Sequence, residues 1–240
     1  MKLIDEKENK VIFTAKIDES LANAIRKYLN QIPVLAIDEV EIFKNDSPLY
    51  DETIAHRLGL VPLKTDSSVS GKKSSQIKLS VKKEGFVNAG EMVGPVDVVY
   101  KDIPITFLNK NQELELVATT RLGKGREHAK FSPGLMFYRN VANINIRKEC
   151  PAEVTEICPQ NILKSKDGKV VAEDPLKCDL CDACVELCKK QGKDSIEITP
   201  ADELMITVES FGQMSAKEIF KKSVEELKKD LKEMSVKVGK

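Results

Sequence analysis

The chain has 240 residues, 41% hydrophobic and 32% charged, with 38 Lys and Arg set against 38 Asp and Glu. Such a composition marks an ordinary soluble globular protein with a real core, built as one large domain or two smaller ones. A formal net charge of zero and the absence of Trp argue against a general pull toward nucleic acid and against an aromatic platform for single strands.

The opening stretch "MKLIDEKENK" is too polar for a signal peptide, and no run of residues approaches the roughly 20 apolar positions of a membrane span. The expectation is a cytoplasmic protein with no membrane partner, in a compartment where thiols stay reduced. "NKVIFTAKI" (9–17) alternates like a strand. Asp18 or Ser20 can then cap a helix whose apolar positions Leu21, Ile25, Tyr28 and Ile32 recur at helical spacing, and Pro33 stops it. "VLAIDEVEIF" reads as a strand, and "DETIAHRLGL" as a short helix closed near Gly59. Residues 65–75, "TDSSVSGKKSS", make a polar loop tip, while "QIKLSVKKEG" and "ELELVATTRLG" are strands by alternation. Residues 85–108 are an irregular mix of Gly, Pro and short apolar runs, and 123–134, "GKGREHAKFSPG", is a basic loop. Further on, "SIEITPADELMITVES" is strand-like. A closing helix over 215–235 carries Phe220, Val224, Leu227, Leu231 and Met234 at 4-3-4-3 spacing. That seam suits lengthwise packing against another helix, or equally against the chain's own sheet. Strands and helices mix without steady βαβ alternation, which predicts an α+β fold.

Four of the six cysteines crowd into "CDLCDACVELC", where Cys178, Cys181, Cys184 and Cys188 are spaced x2, x2 and x3. Clustered cysteines in a reducing compartment point to metal rather than to a disulfide framework. This spacing is the run that binds 4Fe-4S clusters in bacterial ferredoxins, where the fourth cysteine serves a second cluster. "EICPQNILKSKDGKVVAEDPLKCDLCDAC" resembles the ferredoxin half-motif: Cys-Pro, a strand, an Asp167-Gly168 turn, a second strand and the run. The ligand set so implied is Cys158, Cys178, Cys181 and Cys184 around one iron–sulfur cluster, with 4Fe-4S favoured over 3Fe-4S. A second cluster would need cysteines at Lys148, Pro151 and Val154, and none is there. Cys150 and Cys188 are left as free thiols or as a disulfide pair. Zinc also takes four thiolates, but its ribbons use two separated Cys-x2-Cys knuckles, so the spacing favours iron and sulfide.

No nucleotide fingerprint and no catalytic constellation emerge. His56 and His128 are the only histidines. The first reads as a surface or interface residue, and the second lies among Lys124, Arg126 and Lys130. That loop suits salt bridges to an acidic partner better than nucleic acid, given the neutral balance. An electron-transfer ferredoxin fused to another domain remains the competing class.

"SLANAIRKYLNQIPVLAIDEVEIFKNDSPLYDETIAHRLGLVPL" (20–63), "LGKGREHAKFSPG" (122–134) and "ELMITVESFGQMSAKEIFKKSVEELKKDL" (203–231) resemble the α-like subunits of cellular RNA polymerases. With the ferredoxin-like insertion, the likeness is closest to the archaeal D subunits. It implies a split architecture: a dimerisation domain from residues 1–38 and 200–240, an inserted mixed domain over 39–146, and a ferredoxin-like iron–sulfur domain over 147–199. Leu21, Ile25, Tyr28, Phe220, Val224, Leu227 and Leu231 would face a smaller α-like partner, subunit L. Subunits N and P and the second-largest catalytic subunit are the further partners implied, the last against 51–63 and 122–134. DNA would be met only through the complex. The role implied is a non-catalytic scaffold for transcription, since nucleotidyl transfer belongs to the large subunits.

Overall fold

The computed structural model describes residues 1–65, 74–147 and 150–239. Most of the polar loop tip and the Lys148 position lie outside the described residues. In chain order the elements are β1 (Lys2–Lys7), β2 (Lys10–Ala15), α1 (Glu19–Tyr28), β3 (Pro33–Asn45), α2 (Asp51–Gly59), β4 (Gln76–Val81), β5 (Gly85–Asn88) and β6 (Pro104–Leu108). There follow β7 (Leu114–Lys124), β8 (Gly134–Ile146), α3 (Val154–Ile157), β9 (Leu163–Lys166), β10 (Lys169–Ala172), α4 (Ala183–Lys190), β11 (Ile196–Ser210) and α5 (Ala216–Val238). The fold is mixed, with several sheets and few helices. The strands β1, β2, β11 and β8 pair in that order in a four-stranded sheet. Two compact units divide the chain: residues 1–4, 12–22 and 137–207 form one, and residues 5–11, 23–136 and 208–240 form the other.

The larger unit is built on β7, which pairs antiparallel with β3 on one side and β4 on the other. After an exposed Pro33, β3 carries four buried residues, Val34 to Ile37, and then alternates as a half-buried strand should. Its register against β7 shifts between Ile37 and Glu39 and again between Ile42 and Lys44, where bulges bend the long ribbon. Leu35, Ile37, Ile77, Leu79, Leu114 and Leu116 meet Ile54 and Leu58 of α2 in one core. α2 carries Asp51 and Glu52 in its first turn and His56 and Arg57 in its last, which suits the helix dipole at both ends. The stretch expected to be irregular over 85–108 contains the antiparallel pair β5–β6, with Phe86 opposite Phe107 and their rings edge to face at 5.2 Å. Single turns of strand in a Gly- and Pro-bearing segment leave too short an alternation to read.

α1 ends where the next turn tightens into a 3₁₀ turn over Leu29–Gln31, and Pro33, with no N–H to continue a helix, opens β3. α5 starts at Ser215, whose side chain accepts the Glu218 N–H at 3.3 Å. Its buried stripe is Ala216, Ile219, Ser223 and Leu227. This stripe is rotated from the expected seam and meets it only at Leu227.

The smaller unit holds a second core in which aliphatic residues Val154, Ile162, Leu163, Val170 and Ile196 surround buried cysteines. β9 and β10 form the expected hairpin, with Lys166 opposite Lys169. Asp167 and Gly168 between them both have positive φ, 51° and 72°, as a two-residue primed turn requires. Among the described residues no helix is long and apolar enough to cross a membrane.

Candidate functional site

Four separate pieces of local structure deliver the four cysteines of the expected ligand set. Cys158 caps the C-terminus of the single-turn helix α3 in extended conformation, and Cys178 does the same for a 3₁₀ turn over Pro175–Lys177. Cys181 lies between Leu180 and Asp182, both left-handed at φ 59° and 57°. Cys184 sits in the first turn of α4, which starts after Asp182. All four line one cavity whose walls include Ile144, Ile162, Leu163 and Ile198. Cys158, Cys178 and Cys184 are buried, and Cys181 is exposed.

Two left-handed residues two apart are costly for non-glycine side chains. Burial pushes the Cys178 thiol up, while the Leu180 N–H, aimed at its sulfur, works the other way. Burial likewise pushes Cys184 up to about 11, opposed by the N–H groups of Val185 and of Cys184 itself at the start of α4. An apolar cavity that disfavours thiolate, lined by N–H donors that favour it, suits sulfur held by a cation. Among the described residues no three Cys, His, Asp or Glu side chains are grouped so as to hold a single metal ion. The guanidinium of Arg139, on β8, donates to the backbone carbonyls of Leu176 and Cys178.

Cys188 is one turn beyond Cys184 on α4 and buried, but does not line that cavity. Ser195 Oγ donates to its sulfur at 3.4 Å. Cys150 is its neighbour: burial, and then the charge of Cys188, push the Cys150 thiol up to about 11. The two cysteines outside the ligand set are thus adjacent.

The residues expected to meet a partner divide by position. Ile25 and Leu227 are buried within the chain. Tyr28 is half-buried, and its hydroxyl donates to Asp230 at 2.9 Å, a bond that holds the phenol above its ordinary pKa. Phe220 and Val224 are half-buried, whereas Leu21 and Leu231 are exposed. From Leu231 onward α5 carries its apolar residues in the open, with Met234, Val236 and Val238 each more exposed than Leu231 at 55%.

Of the basic loop's cations, Lys130 is paired within the chain, beside Arg121 of β7. Asp38 accepts Arg121 Nε–H at 2.8 Å and Lys130 Nζ–H at 2.7 Å, and both cations lie over the ring of fully buried Phe131. Gly123 lets that ring in, since a Cβ there would stand 2.6 Å from it. His56 and His128, 72 positions apart by their numbers, line one small pocket with Asp38 and Lys130. Neither this convergence nor the Arg139 contact has any signal in local sequence.

A family model described as the RNA polymerase Rpb3/RpoA insert domain matches residues 40–136. The chain is 32% identical to DNA-directed RNA polymerase subunit Rpo3 of Archaeoglobus fulgidus, over 98% of this chain and 96% of that one. Subunit Rpo3 of Pyrococcus horikoshii is 30% identical over 92% of this chain and 90% of its own length. Subunit rpac1 of DNA-directed RNA polymerases I and III from Dictyostelium discoideum is 29% identical over 92% of this chain and 76% of its own. These findings correct the likeness to archaeal D subunits with an iron–sulfur insertion. The archaeal relatives are named Rpo3, none of these relatives' names describes an iron–sulfur protein, and the matched family region stops short of the cysteines. The physical reason is that a short cysteine run encodes ligand chemistry and not lineage; the same spacing can sit in any fold.

Proposed function

The chain belongs to the Rpo3 family of α-like DNA-directed RNA polymerase subunits, and from that premise we propose that it pairs with a smaller α-like subunit as the platform on which the catalytic subunits assemble. It is a non-catalytic scaffold subunit of that enzyme in transcription. The observation that carries the pairing is the exposed apolar end of α5, where Leu231, Met234, Val236 and Val238 stand in water on a helix otherwise anchored by Ile219 and Leu227. Open apolar surface of this kind marks an interaction site. In this reading residues 1–38 and 200–240 make the dimerisation domain, 39–146 are inserted, and 147–199 hold the cysteine site. Subunits N and P and the second-largest subunit complete the contacts, the last through 51–63 and 122–134. DNA is reached only through the complex, and the location is the cytoplasm.

The test is co-expression of the full chain with the small α-like subunit of the same organism, read by size-exclusion chromatography and light scattering. A 1:1 heterodimer that Leu231→Asp abolishes, without loss of thermal stability, is the expected result. A monomer indifferent to the partner overturns the reading. Leu227→Asp is the wrong probe, because Leu227 is buried within the chain itself and a carboxylate there disrupts the fold.

The cysteine site suits one iron–sulfur cluster. Cys158, Cys178, Cys181 and Cys184 would hold it; one thiolate per iron favours 4Fe-4S over 3Fe-4S. When bound, such a group supplies a one-electron couple, and its use here is structural. The four cysteines tie the end of α3, the 175–177 turn, the 178–182 loop and the start of α4 to one point, so that binding energy becomes folding energy.

A further inference from the structure

Arg139 sits half-buried on β8 with both of its hydrogen bonds spent on main-chain carbonyls, those of Leu176 and Cys178. The turn these carbonyls belong to closes on itself through its N–H groups: Lys177 donates to the Asp174 carbonyl and Cys178 to that of Pro175. The planar fork of an arginine then grips the turn on both sides of Lys177, a geometry an ammonium group does not reproduce. Among the described residues Arg139 forms no ion pair, so its positive charge is uncompensated beside a segment that carries a buried thiol. A half-buried guanidinium bonded only to neutral carbonyls keeps its full charge, from which a nearby negative body would gain. Four thiolates around an iron–sulfur core leave a net negative charge, which is the complement.

We infer that Arg139 is a positioning residue of the cysteine site, fixing the main chain that presents Cys178 and supplying the charge that balances the bound cluster. This rests on the cluster reading above. Charge and hydrogen bonding around a cluster set both its retention and its potential, and partners behind a metal ligand typically carry a 10- to 100-fold share of affinity. A cation nearby favours the reduced, more negative form, so its removal lowers the potential.

The experiment takes the full chain purified without oxygen, as wild type, Arg139→Gln, Arg139→Lys and Val170→Ala. Iron and sulfide content, the rate of iron loss to a chelator and the reduction potential are measured for each. Arg139→Gln is expected to lose iron on the order of 10-fold faster and to reduce at lower potential. Arg139→Lys is expected to keep the potential but not the retention, separating charge from fork. Val170→Ala, which thins the same core, is expected to lower thermal stability and leave the potential unchanged. A wild type that holds iron while Arg139→Gln matches it in both readouts overturns the role of Arg139 alone, as does a Val170→Ala potential shifted equally. A wild type without iron or sulfide overturns the cluster reading and this inference with it.

Discussion

Asp38 shows how one residue can neutralise a pattern that looks functional. Its hydrogen bonds from Arg121 and Lys130 hold its carboxyl down at about 2, from an ordinary 3.8. A carboxyl depressed in the folded state stabilises the fold fully above its unfolded value and loses that contribution as the pH falls through the folded one. The gap between wild type and Asp38→Asn should therefore be about 1 kcal/mol at neutral pH, after allowing for solvent at this partly open site, and should close between pH 3.8 and about 2. Urea denaturation at stepped pH values checks this. Cysteines behave differently: the x2, x2 spacing plus a distant Cys-Pro fixes which thiols share a cavity, whatever surrounds them. Iron per chain should fall sharply in Cys158→Ser or Cys184→Ser and stay unchanged in Cys188→Ser, whose sulfur faces Ser195 instead. Loss of iron in Cys188→Ser would reassign the ligand set. The Asp38 pairing was illegible because its partners lie 83 and 92 positions away, and no spacing rule reaches that far.

At the scale of elements, long alternating or helically periodic runs were legible: β3, β7, β11, α2 and α5 follow from pattern, and the β9–β10 hairpin from its Asp-Gly turn. Short strands such as β5 and β6 were not, since four or five residues carry too little periodicity, and neither was β8 despite its 13 residues. α5 is the instructive intermediate. Two apolar stripes overlap on it at Leu227, and the sequence does not say which one the chain uses for itself. The structure gives Ile219 and Ser223 to the fold and leaves Leu231 and Met234 outside. Ile219→Ala, at a fully buried position, should cost about 2–5 kcal/mol in the chain alone. Chemical denaturation of the isolated chain measures it, and a cost under about 1 kcal/mol would mean that α5 does not anchor on this stripe.

For the whole molecule, the sequence order of the pieces hides how they group. The Cys-bearing segment shares a unit with 1–4 and 12–22, while 5–11 and 208–240 belong with the middle of the chain. Local pattern cannot reveal such interleaving, because it is set by which strands pair: β11 lies between β2 and β8, far from both in sequence. The family likeness supplied the idea that the two ends belong together, while spacing and the ferredoxin resemblance supplied the cysteine site. Removing residues 231–240 should leave the thermal midpoint of the chain within a degree or two, since that segment is exposed throughout its described part. It should also abolish heterodimer formation. Thermal melting and size-exclusion chromatography read the two effects separately.

The open end of α5 carries a consequence for how the cell keeps count of this subunit. If the proposed pairing covers this tail, an unaccompanied copy would present Leu231, Met234, Val236 and Val238 to any protease or chaperone that recognises apolar helix tails, and a paired copy would hide them. The same four side chains would then act as a clock that starts at synthesis and stops at pairing, and the level of this chain would follow the supply of its companion. Pulse-chase decay with and without the small subunit reads that clock directly.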